Sequence, residues 1–423
     1  DPSIPVTPPD ELPHDFVSWG GGGERYMAVD DDGFTYIYDF RYTKCNQNHQ
    51  PDTTERLSVW DPDGNFYGEL ILGDKRLSDV NFDLARGQII MISYNGTISS
   101  ASADTFVALF QINKGNAAEP ITQLVSYKMS YDVIDPETGK RPSIRAESAA
   151  VDSNGLIYAV GRQNLEGMIV AKPNAEDPEL LDYIGYPIYH LNNVLDEPGQ
   201  LRLTNVYDIV IDSENHIYVT ARHESVIDDG TNRRRYSNRI YKFAPAQVEA
   251  DGSIAPGELI GWLGRCDDGP NCDYIAGHSI GFTCTDETCF IDEADTNGNG
   301  DRPGQLDNAR NLVIDPNDVI YVADSGNARV QRFTSDGLFA GEARSTGDGS
   351  SFVLGDFGSP NNISVNKNSF FILDGSREIV HVFDAAVIHG IDDTSAWVEY
   401  QSDSNYVGQD RFTFSATDGF RTG

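Results

Sequence analysis

Strand-length runs of alternating apolar and polar residues recur along most of the chain, and sustained helical periodicity is scarce. One unit returns six times: an apolar strand ending in Asp, a turn, an aromatic-rich strand, a second turn, and a third strand ending near Phe or Trp. Its copies begin with MAVDDDGFTYIYD at Met27, DVNFDLARGQIIMIS at Asp79, SAAVDSNGLIYAV at Ser148, DIVIDSENHIYVTA at Asp208, NLVIDPNDVIYVADSGNARVQRF at Asn311 and NISVNKNSFFILD at Asn362. Third strands follow as RLSVW at Arg56, TFVALFQI at Thr105, MIVAK at Met168, RIYKF at Arg239, RVQRF at Arg329 and IVHVF at Ile379. Outer fourth strands are expected at FYGELIL from Phe66, LDYIGY from Leu181, LIGWLG from Leu259 and LFAGEA from Leu338.

The copy from Asn311 to Arg344 closely resembles the NHL repeat in its strand, Asp-turn, YVADSGN and RVQRF pattern. That resemblance implies a β-propeller. A sheet of three or four such strands cannot bury both faces alone, and stacking the copies radially solves this. Six copies imply six blades. The sixth copy has no outer strand after Val387, whereas Phe16 to Trp19 shares the apolar and small character of the other outer strands. This segment is expected to pair with the last blade and close the ring; a loose N-terminal arm is the competing expectation. From Trp397 the pattern changes to WVEYQSDSNYVGQDRFTFSATDGF. It resembles the closing strands of cadherin-like or immunoglobulin-like repeats in giant bacterial surface proteins.

The expected fold is therefore all-β: a six-bladed NHL-type β-propeller with a short C-terminal β-sandwich segment. A Pro-rich linker is expected at 1–14, the propeller at 15–389 and the partial sandwich segment at 390–423. With no initiator Met and no signal peptide ahead of the Pro-rich lead, the chain reads as a piece of something longer.

Composition narrows the partners. The 66 acidic against 31 basic residues give a net charge of −35, a field that repels polyphosphate backbones and anionic membranes. Nucleic acid and membrane insertion are not expected, and no apolar run reaches the ~18 residues that span a bilayer. Such acidity suits a calcium-rich or saline exterior, or serves solubility alone.

Aligning the first strands on their final residue (Asp30, Asp83, Asp152, Asp212, Asp315, Asn366) brings Tyr26, Asp79, Ser148, Asp208, Asn311 and Asn362 into register four residues earlier. Innermost strands line a propeller's channel, so Asp79, Asp208, Asn311 and Asn362 form a candidate oxygen cage for Ca²⁺. A water-filled polar channel is the other reading. A second candidate calcium loop is Asp295, Asn297, Asn299 and Asp301, with Gly300 at the turn. It lacks the bidentate acid at the twelfth position, where Leu306 stands, and a solvated connector competes with it.

Cys266, Cys272, Cys284 and Cys289 fall in one stretch between the fourth and fifth copies. Their spacings favour two small-loop disulfides over zinc, which prefers two-residue spacings. Cys45 is left over. Rim loops on a rigid scaffold often carry recognition, which makes Asp267, Asp268, Tyr274 and His278 of this insertion candidate partner contacts or simply parts of a stapled loop. Asn95 begins an accessible N-glycosylation sequon. Asn362 begins another, but a channel position leaves no room for a glycan.

No HExxH, GxSxG or phosphate-cradling loop occurs, and the eight His are scattered. NHL-type propellers include an amidating lyase that uses zinc, calcium and channel histidines. The six aligned positions here contain no His, which argues against that mechanism. The expectation is a non-enzymatic binding or architectural module of an extracellular adhesin or surface filament. It would engage protein or glycan, or pack with identical copies. The alternative is a metal-dependent lyase or hydrolase at the channel mouth.

Overall fold

The computed structural model describes residues 26–45, 51–73, 75–83, 86–95, 105–129, 146–161, 167–174, 181–183, 203–226, 234–252, 254–255, 257–273, 275–285, 288–291, 298–344, 358–366, 369–374 and 379–384. They form a six-bladed β-propeller, with no α-helix among the described residues. Blade 1 contains β1 (Met27–Val29), β2 (Thr35–Cys45), β3 (Pro51–Trp60) and β4 (Phe66–Gly73). Blade 2 contains β5 (Lys75–Asp83), β6 (Gln88–Asn95), β7 (Thr105–Ile112) and β8 (Ile121–Met129). Blade 3 contains β9 (Ala146–Val151), β10 (Ile157–Gly161), β11 (Gly167–Pro173) and β12 (Leu181–Tyr183). Blade 4 contains β13 (Leu203–Ile211), β14 (Ile217–Val226) and β15 (Arg234–Phe243), then a small ribbon of β16 (Gln247–Val248) and β17 (Ile254–Ala255), and the outer strand β18 (Leu259–Gly264). A second ribbon, β19 (Cys272–Asp273) and β20 (His278–Ser279), belongs to the insertion that follows. Blade 5 contains β21 (Ala309–Ile314), β22 (Ile320–Asp324), β23 (Arg329–Phe333) and β24 (Phe339–Arg344). Blade 6 has three described strands, β25 (Pro360–Val365), β26 (Ser369–Asp374) and β27 (Ile379–Asp384).

Each sheet is an antiparallel meander, and its first strand is innermost. The first strands touch in the order β1, β5, β9, β13, β21, β25 and again β1, so the ring closes. The core lies between blades. Tyr158, Val160 and Met168 of blade 3 pack on Val206, Ile209 and Val219 of blade 4, and Met27, Val29 and Ile37 of blade 1 pack on Phe371 and Leu373 of blade 6. A blade alone would leave these faces in water, which is why the repeats stack.

The Asp that ends a first strand builds the next turn. Asp30 Oδ1 accepts the N–H groups of Asp32 and Phe34 at 2.9 and 3.0 Å, and its Oδ2 accepts the Tyr36 hydroxyl at 3.0 Å. Asp152 with Tyr158 and Asp212 with Tyr218 repeat the device. This explains the Tyr six residues after Asp in the repeat. Burial, and then the Asp charge, pushes these phenols far above their ordinary pKa.

Turns are also tied to one another. Asn215 and Asp318 occupy left-handed positions, φ 67° and 60°, where other copies carry Gly33 and Gly155. Asn215 Oδ1 accepts the Ser153 N–H at 2.9 Å, and Asp318 accepts the Ser213 N–H at 3.0 Å and its hydroxyl at 2.6 Å. Blade 6 meets blade 1 through the Val29 N–H on Ser364 Oγ at 2.8 Å and the Asn366 amide on the Asp30 carbonyl at 2.9 Å.

Beside β27 runs a groove of about 320 Å³, lined by Ile37, Trp60, Phe371, Val380 and Val382. The expected closing strand at Phe16 to Trp19 and the expected sandwich segment at 390–423 lie outside the described residues, as does the side chain of Cys45.

Candidate functional site

Because strand side chains alternate, the residue four before the turn faces the next blade. The structure brings Tyr26, Asp79, Asp208, Asn311 and Asn362 around the narrow end of the channel, with Ser148 bonded into the same group. They form a chain of hydrogen bonds running from blade to blade. Ser148 Oγ donates to Asp208 Oδ1 at 2.7 Å. Asp208 Oδ2 accepts the Asn311 amide at 2.6 Å and the Leu312 N–H at 2.9 Å, while Oδ1 also accepts the Ile209 N–H at 2.8 Å. Asn311 Oδ1 in turn accepts the Ile363 N–H of blade 6 at 2.7 Å. On the other side, Asp79 accepts the Val80 N–H at 2.8 Å and the Asn81 amide at 2.7 Å, and Ser148 is hydrogen-bonded to it as well.

Asp79 and Asp208 are 3% and 2% exposed and share Ser148. Burial, and then the charge of Asp208, raises the Asp79 pKa well above the ordinary carboxylate range. Burial raises that of Asp208 too, opposed by its four donors. Two buried carboxylates joined through one hydroxyl cannot both ionise cheaply, so burial and their mutual charge favour a protonated form of the pair.

The same residues are those expected to form the calcium cage. Calcium takes six to eight oxygens; here both oxygens of Asp208 accept from donors within the protein, as do those of Asp79 and Asn311 Oδ1. Of the ring, Asn362 Oδ1 is buried with no partner among the described residues. The carboxylates stitch neighbouring blades together. Just outside them, Glu147, Tyr207, Arg310 and Asn361 line the mouth. Sequence reasoning missed these four, although the same alignment read one residue earlier finds them.

The second calcium candidate is only partly described, since Asp295 and Asn297 lie outside the described residues. Asn299 uses its carbonyl to accept the Asn238 N–H and amide at 3.1 and 2.8 Å and donates to Asp307 at 2.6 Å. The backbone carbonyl of Asp301 accepts from Arg329 at 2.8 Å. The loop is thus held by the NHL signature: Asp324 binds Asn327, Arg329 and Gln331, and Arg329 also grips the carbonyls of Arg302 and Gln305.

The insertion is stapled by disulfides Cys266–Cys272 and Cys284–Cys289, all four residues buried against blade 4. It continues the outer edge of that blade, where the Trp262 N–H donates to the Cys284 carbonyl at 3.0 Å. A side chain at Gly261 would strike the Phe282 carbonyl at 2.3 Å, so the close approach needs glycine. Of the expected contacts, Asp267 is held in a bidentate pair with Arg265 at 3.1 and 3.0 Å. Asp268 accepts the Gly269 N–H at 2.7 Å, and His278 Nδ1 lies 2.8 Å from the Ser279 carbonyl. Tyr274 and the side chain of Asn95 lie outside the described residues. Asp268 is exposed, and so are three large apolar side chains of the insertion, Ile275 at 93%, Phe290 at 47% and Ile280 at 44%.

Residues 306–333 match the family model of the NHL repeat. The class these observations define is a six-bladed β-propeller containing an NHL repeat. No curated protein matches the chain in sequence. Among solved structures, the chain is similar to a structural genomics protein of unknown function from Bacteroides thetaiotaomicron, at 10% identity and a TM-score of 0.45, covering 86% of this chain and 70% of that one. It is also similar to virginiamycin B lyase from Staphylococcus aureus, at 12% identity and a TM-score of 0.34, covering 85% and 84%. A third likeness is to the nidogen/laminin complex, at 12% identity and a TM-score of 0.36, covering 87% and 92%. Likenesses at this level carry no functional argument.

Proposed function

We propose that the chain is a binding and architectural module of a large extracellular surface protein, an adhesin or surface filament, whose propeller presents the stapled insertion to a protein, a glycan or a neighbouring copy. The observation that carries this is Ile275, 93% exposed on a loop that two disulfides and the blade 4 edge hold rigid, with Phe290 and Ile280 exposed on the same insertion. Fixing apolar side chains in water costs free energy unless a partner covers them. The disulfides and the acidity support an oxidising, extracellular setting. The test is a screen of the immobilised chain against an extracellular glycan array, a panel of matrix proteins and the chain itself. Binding that disappears in Ile275→Glu/Phe290→Glu with the melting temperature preserved supports the module. Binding unaffected by the pair, or none at all, contradicts it.

One observation favours the second reading, a lyase or hydrolase at the channel mouth. Asp79, whose pKa burial and the charge of Asp208 raise, lines the same pocket as Glu147 and Arg310, and a raised carboxyl pKa suits a general acid. Its oxygens are already bonded within the protein, which weighs against this role.

A further inference from the structure

The opposite end of the channel is chemically different. Below the Asp79 and Asp208 ring it widens into a cavity of about 440 Å³, within the range that holds a small molecule. Its wall is apolar, with Phe82, Val151, Val210, Ile211, Val313 and Val365 among the residues lining it. Its rim, formed by the turns that end the first strands, carries Asp31, Asp83, Asp212, Asp315 and Asp318, and no Lys or Arg lines it among the described residues.

Three of these carboxylates have basic neighbours: Asp83 binds Arg86 at 2.8 Å, Asp212 has His216 at 3.0 Å and Lys242 at 3.9 Å, and Asp315 shares Tyr321 with Arg332. Among the described residues Asp318 accepts only from the neutral backbone and hydroxyl of Ser213, which leaves its charge in place. Asp31 has no ion pair among the described residues. Low-dielectric walls under a ring of one sign focus the field into the opening. An anion is repelled from this mouth, and a fully polar cation gains nothing from the wall.

We infer that this cavity binds a small organic cation, an ammonium on an apolar or aromatic body, with the body among Phe82, Val210 and Val313 and the charge at Asp31 and Asp318. The inference does not depend on the stapled insertion.

Calorimetric titration with 4-phenylbutylammonium tests it, beside the isosteric anion 5-phenylpentanoate. The ammonium is expected to bind with a Kd of about 0.1–1 mM, the range for a ligand of this size, and at least about tenfold more tightly than the carboxylate, with affinity falling several-fold as salt rises. Val210→Phe, which fills the cavity, should abolish binding, and Val313→Phe serves if the first variant does not fold. Asp31→Asn/Asp318→Asn should erase the preference for the cation while the melting temperature holds. Equal binding of both probes, binding that survives the filling variants, or no binding of the ammonium overturns the inference.

Discussion

Replacing Asp79 by Asn removes a proton-binding group from a site where burial and Asp208 both oppose ionisation. The raised pKa means that the folded chain keeps this proton at pH values where the unfolded chain has lost it. Stability from this group is therefore complete below about pH 4, the unfolded carboxylate value. It is lost as pH rises toward the folded pKa, at up to about 1.4 kcal/mol per pH unit. The introduced amide keeps an acceptor for the Val80 N–H but sets its own N–H₂ against the Asn81 amide, which lies 2.7 Å from Asp79 Oδ2 in the wild type, a loss of about 1 kcal/mol. The variant should thus be about 1 kcal/mol less stable than wild type near pH 4 and should gain on wild type steadily as pH rises from 4 to 7. Urea unfolding of both proteins at pH 4, 5, 6 and 7 measures the difference directly and cancels titrations elsewhere in the chain. A difference that does not change with pH would refute the buried proton. A penalty that grows with pH would show that the Asp79 charge is needed, as a bound cation would require.

Other outcomes follow from the same geometry. Arg329→Met leaves the buried Asp324 carboxylate without its cation, both side chains being 0% exposed, and should cost about 3–5 kcal/mol in urea unfolding. Cys284→Ser/Cys289→Ser should cost about 2 kcal/mol and expose the insertion to limited proteolysis, read by mass spectrometry. Deleting residues 1–22 should lower the melting temperature by several degrees in scanning calorimetry. That is the outcome if Phe16 to Trp19 fills the groove beside β27, where Val382 is 56% exposed; an unchanged melting temperature would leave the closing-strand expectation without support.

The repeat was legible because its turn is chemically obligatory. An Asp that caps two backbone N–H groups and takes a Tyr hydroxyl six residues on leaves a spacing that survives in Asp30, Asp152 and Asp212. That turn fixes register, and two-residue strand periodicity then placed Asp79, Asp208, Asn311 and Asn362 at one level of the channel. Their use was not legible. Whether an oxygen faces a cation or a neighbouring N–H depends on blade spacing, and sequence does not encode that distance locally. The cysteine pairing followed from short loops, but the exposure of Ile275 and the pairing of Asp267 with Arg265 depend on how the insertion lies against blade 4. The acidic rim was scattered among turns of different copies and becomes one feature only when the ring closes.

Amide hydrogen exchange at Leu312 and Ile363 tests most directly whether the channel side chains stitch the blades. Leu312 donates to Asp208 and Ile363 to Asn311, so Asp208→Ala should strip protection from Leu312 and Asn311→Ala from Ile363, with the outer strands β24 and β27 little changed. Full protection of both amides in both variants would contradict the account.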